Sequence, residues 1–459
     1  MSALARRRGR SMAACLAALA LAAGAARTGR AEDPPRPWTN PPERFTLSTG
    51  VPCVYQKDPV SPTSVVGLFI GGGKSAVPSG CDGLAAVSTR LLLEIPDESK
   101  IQDLMAQATR LSYVCLEDSS IILIECLTEH LESALGLAGK IVLDPLISGL
   151  RVGRAKELMS ANGKADEDDP VTVARNAVFG AFFGGVGYGS ALYGTETSLK
   201  AIDRKDVVSF VRRLVVKPNV FFCVESDLDR EAVRRLLEKS FAAFPDAAAA
   251  EIPRQDPVPP TDRDISRERE TRQTYVGRAY ALPRAGLADM ARGDLLETVL
   301  GKGPGSRLWP LREDERLAYG VDAGLTWMKS AGVLVAYLET GKDRGAEAAA
   351  ALDRTLEDLR EKGLTEGEIE ATRTMARARF LRETEAKSPR LRILGLFETL
   401  GLGAESAAGL LEAFDAVTLE EMNAYIRQVL DPARALRVTV GPPEREPKKE
   451  EPHARTDGN

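Results

Sequence analysis

The residues with the clearest capacity for chemistry lie in one stretch, SRLWPLREDERLAYGV, from Ser306 to Val321. Arg312 and Tyr319 are seven positions apart in it. On a helix running toward Leu317 that spacing is about two turns, so both side chains would project from one face. A guanidinium presents a rigid fork of donors to carbonyls or carboxylates, and a phenol can donate one hydrogen bond to a developing oxyanion. Facing one cleft together, the two would form a clamp for a peptide backbone. The bare pair also fits a blander description, a surface arginine and a core tyrosine.

The whole phrase resembles the C-terminal half of the M16 (insulinase or pitrilysin-like) zinc peptidase family, where Ser-Arg-Leu, Leu-Arg-Glu and Leu-Ala-Tyr follow in this order and spacing. The resemblance implies that Arg312 and Tyr319 bind the substrate backbone opposite a zinc ion. Arg316 stands where the family usually has glycine.

The predicted helix Gly83 to Leu93, GLAAVSTRLLL, sits where that family carries its inverted zinc motif, H-x-x-E-H. The motif works because two histidines four apart ligate zinc from one helical face while the glutamate between them activates water. The matching positions here hold Ala86, Thr89 and Arg90. None of the three ligates zinc or acts as a general base at neutral pH. The chain has only two histidines, His130 and His453, so no imidazole pair can be recruited from elsewhere. The family's third ligand, a glutamate, falls at Asn162 when the register is anchored on Asp168-Asp169-Pro170, with Glu167 close by if it slips. A lone carboxylate binds zinc weakly without imidazoles. Glu157 and Glu167 read as solvated helix residues, and His130 as an exposed or capping residue on a helix capped by Thr128.

Around these residues the first half alternates strand and helix signals. Phe45 to Tyr55 alternates and turns at Thr49-Gly50; Ser64 to Ile70 is a strand with Val66, Leu68 and Ile70 on one face. The Gly71-Gly72-Gly73-Lys74-Ser75 turn is no phosphate loop, because that motif needs glycine where Leu68 stands. Strand Ile121 to Cys126 leads into a helix whose Leu131, Ala134, Leu135 and Ala138 form a core stripe. Tyr188 to Glu196 resembles the family's PYGxxxxGTxE stretch and leads to a helix at Asp206 to Val216.

The halves repeat. Ile202-x-x-x-Asp206-x-x-x-Phe210-Val211-Arg212 matches Val417-x-x-x-Glu421-x-x-x-Tyr425-Ile426-Arg427, and an apolar strand follows each. The unit at Ile121 to Val142 has its counterpart in strand Val333 to Leu338 and the Ala-rich helix Ala346 to Leu359. A second helix there opens at the capping box Thr365-x-x-Glu368 after Gly363. Each half mixes meandering strands with helix pairs, an α+β arrangement. The resemblance implies two homologous lobes of the LuxS/MPP-like type, facing each other as a clamshell. The expected divisions are 1–31 signal peptide, 32–43 proline-rich lead, 44–250 first domain, 251–272 proline- and charge-rich linker, 273–441 second domain, and 442–459 disordered tail.

A 459-residue chain, 44% hydrophobic and 28% charged, is long enough for two packed domains. Its net charge of -5 gives no electrostatic case for nucleic acid, and no zinc-finger or RNA-binding signature supplies one. Arg6, Arg7, Arg8 and Arg10 ahead of the apolar run Met12 to Ala26 read as a secretory leader, which places the mature chain in the periplasm or outside the cell. No later stretch is long and apolar enough to be transmembrane. After the leader, Cys53, Cys81, Cys115, Cys126 and Cys223 show neither metal spacing nor a tight disulfide framework, and read mainly as small buried hydrophobes.

Three functions follow from these readings. The resemblance implies a non-catalytic, substrate-binding subunit of a heterodimeric peptidase: no cofactor in this chain, zinc on a catalytic partner with an intact H-x-x-E-H, and a peptide substrate gripped by Arg312 and Tyr319. The alternative is a catalytically silent structural or binding scaffold of the same fold. An independent hydrolase is the third, but no nucleophile elbow is present and only His130 or His453 could serve as its base.

Overall fold

The computed structural model describes Trp38 and residues 40–95, 97–249 and 251–442. The expected leader (1–31), residues 32–37 and 39 of the proline-rich lead, and the tail from 443 lie outside the described residues.

Two sheets organise residues 40–442. The first is built from β1 (Glu43–Thr46), β2 (Pro52–Lys57), β3 (Thr63–Gly71), β4 (Arg110–Cys115), β5 (Ser119–Leu127) and β6 (Val220–Ser226), in the order β1-β2-β6-β3-β5-β4. The second uses β7 (Asp264–Glu268), β8 (Gln273–Pro283), β9 (Ala318–Trp327), β10 (Ala331–Gly341) and β11 (Leu436–Gly441), in the order β7-β11-β8-β10-β9. In each sheet one pair is parallel, β2 with β6 and β7 with β11, and the remaining neighbours are antiparallel.

The helices of the first half are α1 (Leu84–Leu91), α2 (Glu98–Ala106), α3 (Leu131–Leu143), α4 (Gly149–Glu167), α5 (Pro170–Phe183), α6 (Glu196–Ala201), α7 (Arg204–Leu214) and α8 (Arg230–Ser240). Those of the second are α9 (Leu287–Gly301), α10 (Trp309–Glu313), α11 (Gly345–Lys362), α12 (Glu366–Glu383), α13 (Lys387–Thr399), α14 (Ser406–Ala416) and α15 (Leu419–Val429). Read in chain order, β2 to β6 and β7 to β11 give the same succession of strands and helices, and the corresponding strands take the same places in their sheets. This is the α+β duplication expected from the sequence. The first half adds β1 and α8 outside the repeat.

Local chemistry accounts for most boundaries. Asp203 and Asp206 cap α7 reciprocally, and Thr418 and Glu421 do the same for α15, so the duplicated phrase carries its own start signal. Thr365 and Glu368 form the expected box on α12, and Asp169 caps α5 with Pro170 in its first turn. Leu131, Ala134, Leu135 and Ala138 are all buried along α3, as their spacing predicts. Thr128, however, does not cap α3; it lies in a short 3-10 turn, and its hydroxyl bonds Ser64 Oγ (2.9 Å) and Asp227 instead.

The segment read as linker is only partly a connection. Asp264–Glu268 pairs with β11 as the edge strand β7, and Gln255 reaches both halves. Its Nε2 donates to Ser75 O (3.0 Å), its Oε1 accepts from Tyr188 N (2.7 Å), and its N–H donates to Ser330 Oγ (3.3 Å).

The halves also exchange a helix. α5, from the first half, lays Val173, Ala174, Val178, Phe179 and Phe182 on the second sheet, against Tyr275, Ala279, Val438 and Val440. α13, from the second half, crosses β3 and β6 of the first sheet. Close approach there requires glycine: a Cβ on Gly395 would lie 2.0 Å from Phe69 Cζ, and one on Gly67 would lie 2.8 Å from Leu391 Cδ2. Lys387 Nζ donates to Ser61 O (2.9 Å) and Thr63 O (2.7 Å) across the same contact.

Candidate functional site

The residues at the metal-motif positions are turned to structural use. Gly83, with φ 89°, leads into α1 in the left-handed conformation that glycine tolerates. Ala86 is 1% exposed and Thr89 2%, both packed into the first half. Thr89 Oγ1 lies within hydrogen-bond distance of Ala85 O (2.7 Å) and Ser120 Oγ (2.8 Å), sharing its one proton with them, and Ser120 reaches Cys115 Sγ at 3.8 Å. A small chain of hydroxyls and a thiol thus fills the space beside the helix. Burial pushes the Cys115 thiol up to about 11, so it is not a thiolate at neutral pH.

Arg90 is part-exposed and pairs one turn on with Glu94 Oε2 (2.8 Å). Burial raises the phenol of Tyr113, against the lowering effect of Arg90. A methyl, a hydroxyl already satisfied inside the core and a guanidinium offer no donor set for zinc. Among the described residues no group of three His, Cys, Asp or Glu side chains is placed to hold a metal ion. Asn162 lies on α4 in the company of exposed Glu157 and Glu167, which are solvated helix residues as expected. His130 ends the 3-10 turn before α3, makes no capping side-chain bond and has Glu129 Oε1 at 3.7 Å.

Arg312 and Tyr319 do not share a helix. α10 stops at Glu313, and the chain reverses through Arg316 at φ 49°, the left-handed region, before β9 begins at Ala318. A side chain is strained there, whereas glycine adopts the conformation freely. Leu317 N–H donates to Leu311 O (2.9 Å), closing the reversal. Arg344 Nη1 donates to Arg316 O (2.9 Å) while its guanidinium grips Glu347 twice at 2.8 Å. The expected common helical face is therefore replaced by a helix end and a strand start held together by a tight turn.

The side chains are nevertheless both available to solvent. Arg312 stacks on Trp309 at 4.9 Å and has Glu313 Oε1 at 3.5 Å. Tyr319 is 65% exposed, an unusual state for a strand tyrosine. The irregularity in β9–β10 pairing sits beside it: Thr340 pairs with Ala318 and Glu339 with Gly320, leaving Tyr319 without a register partner. Its hydroxyl lies 3.8 Å from where a Cβ on Gly341 would be. Arg312 and Tyr319 belong to the second half, α1 to the first, so the chain keeps the two candidate regions on different sheets.

Between the halves lies a pocket of about 500 Å³ lined by α4, the start of α5, the loop Ala191–Glu196 and Arg267 and Arg269 of the second sheet's edge. Burial raises Tyr193 and Asp166 there, with Asp169 adding to the effect on Asp166. Neither Arg312 nor Tyr319 lines it. Sequence reasoning missed this pocket because its walls come from segments about a hundred residues apart.

The comparisons with known proteins agree with this architecture. A family described as "Peptidase M16 inactive domain" matches residues 201–375. A Bacillus subtilis protein named "Uncharacterized zinc protease YmxG" is 22% identical over 405 residues, 86% of this chain and 97% of that one. A Helicobacter pylori protein named "Non-peptidase homolog YmxG" is 23% identical over 383 residues, 82% of this chain and 88% of the other. The crystal structure of a peptidase M16 inactive domain from Pseudomonas fluorescens superposes with a TM-score of 0.80 at 20% identity, covering 88% of this chain and 99% of that one.

Proposed function

We propose that this chain, which is similar to M16 peptidase proteins over most of its length, is the non-catalytic, substrate-binding subunit of a heterodimeric zinc metallopeptidase acting on peptides in the cell envelope. The catalytic partner supplies the zinc and its H-x-x-E-H helix; this chain supplies Arg312 and Tyr319. The observation that carries the reading is a contrast within one molecule. Ala86 and Thr89 are sealed into the core, whereas Tyr319, a costly residue to leave in water, stands 65% exposed at the irregularity in the β9–β10 pairing. Arg312 would hold substrate carbonyls in ground and transition states alike, and Tyr319 would donate to the oxyanion as it forms. The basic-then-apolar leader supports a periplasmic or extracellular location. No helix among the described residues is long and apolar enough to cross a membrane.

The second reading, a silent scaffold, is favoured by the complete repacking of Ala86 and Thr89 and by the "non-peptidase homolog" name of the Helicobacter pylori relative. Kinetics of the chain reconstituted with a catalytic M16 partner separate the two. The subunit reading expects Tyr319→Phe to lower turnover by about a hundredfold and Arg312→Ala to raise KM at least as much as it lowers kcat. Wild-type kinetics in both variants would leave the scaffold reading. Metal analysis of the purified chain alone should find far less than one zinc per chain.

A further inference from the structure

A groove follows the connection between the halves. Two cavities, of about 390 Å³ and about 500 Å³, adjoin there, sharing Arg254, Arg284 and Ser330 on their linings. One wall is apolar: Pro257, Val258, Pro259 and Pro260 present rings and a branched chain, with Val258 51% exposed. Prolines donate no backbone hydrogen bond, so this wall neither pairs with itself nor closes the channel by strand addition.

The charges along the channel do not balance. Its three acids are engaged: Asp256 by Arg254 (2.8 Å), Glu398 by Arg44, and Asp118 by Tyr188 Oη (2.5 Å) and Lys329 N (2.7 Å). Arg263, Arg284, Lys329 and Arg434 line the same channel, all exposed, and none has a carboxylate within ion-pair distance among the described residues. Backbone carbonyls orient two of them without neutralising their charge. Arg434 donates to Gln428 O and Ala281 O, both at 3.2 Å, and Arg284 to Leu400 O at 3.5 Å. Thr399 Oγ1, also on the lining, is shielded from water and has no hydrogen-bond partner. Lys329 still acts on Asp118 through space, but on a chain of net charge -5 the four cations outnumber the acids free to meet them.

We propose that this groove binds an acidic, extended peptide segment. Guanidinium forks match carboxylates two hydrogen bonds at a time, and spaced forks along a channel suit carboxylates spaced along a chain. The proline wall complements the apolar side of such a segment. Nucleic acid fits less well, because the aromatic residues of the channel are already used. Phe182 and Tyr188 are buried and Phe221 stacks on Phe69 at 4.9 Å, so no platform is left for bases. The inference stands apart from the clamp at Arg312 and Tyr319, neither of which lines the groove.

Fluorescence anisotropy of a short fluorescein-labelled peptide of alternating glutamate and proline, titrated with the full chain, tests the proposal. The expected result is saturable binding that weakens as sodium chloride is raised, and at least about tenfold weaker binding by the doubly substituted Arg284→Glu, Lys329→Glu chain. Arg212→Glu, a charge reversal at an exposed position of α7, should bind as wild type. Because Arg284 and Lys329 are exposed, an unchanged melting temperature in the double variant shows that the fold is intact. Absence of saturable binding, wild-type affinity in the double variant, equal binding of a lysine–proline peptide, or tighter binding of a single-stranded oligonucleotide would each overturn it.

Discussion

Arg390 of α13 reaches Glu225 of β6 at 2.5 Å, with both side chains essentially removed from solvent. The same guanidinium pairs with Asp58, just beyond β2. It also donates to Thr384 O (3.1 Å) and Glu385 O (3.0 Å). One buried cation therefore ties the second half's helix to the first half's sheet, with two acids competing for its charge.

Removing that cation leaves the Glu225 carboxyl inside the contact without its donor and Asp58 without its ion-pair partner. Arg390→Met is expected to destabilise the chain by about 3 kcal/mol or more. A double variant that also carries Glu225→Gln should lose less than the sum of the two single changes, because the groups interact directly. Urea denaturation of the four species measures this; additive losses would mean that the contact is energetically idle.

Glu225 also predicts a pH dependence. Burial pushes its carboxyl up to about 8, against the opposing pull of Arg390. Between the ordinary glutamate range and about 8, the folded chain holds a proton that the unfolded chain has released. Stability from this group therefore falls as pH rises through that window. Melting temperatures across the window should decline in wild type and flatten in Glu225→Gln; parallel profiles would contradict the assignment.

The crossing of α13 over β3 depends on the missing side chain of Gly395. Phe69 is stacked on Phe221 at 4.9 Å and is not free to retreat from a Cβ arriving at 2.0 Å. Gly395→Ala should cost about 1–3 kcal/mol by overpacking. In a Phe69→Leu background the same change should be milder, which thermal unfolding of the pair would reveal.

Arg316 holds a left-handed conformation at φ 49° in the turn between Arg312 and Tyr319. Its side chain is not needed for the turn, since Arg344 binds its carbonyl. Arg316→Gly is expected to be neutral to stabilising, whereas Arg316→Val should lose about 1–2 kcal/mol because a branched Cβ is poorly tolerated there. Equal melting temperatures for the two would remove the argument from backbone strain.

The sequence by itself determined the elements and their repetition. Capping boxes at Asp203–Asp206, Thr365–Glu368 and Thr418–Glu421 and the stripe along α3 are local signals, encoded within one or two turns, and they survive in the folded chain. Chemical incapacity was equally legible, because no fold can make ligands of Ala86 and Arg90. The tertiary structure decided what depends on distant partners. A spacing of seven positions from Arg312 to Tyr319 fits two turns of helix, yet the pull of β10 makes Tyr319 part of a strand, and a charged stretch of the connection becomes β7 because β11 offers it a free edge. The exchange of α5 and α13 lies furthest from the sequence signal. Either helix's apolar face would fit any sheet of suitable twist, and only the placement of Gly395, Lys387 and Arg390 against Phe69, Ser61 and Glu225 selects the sheet of the opposite half.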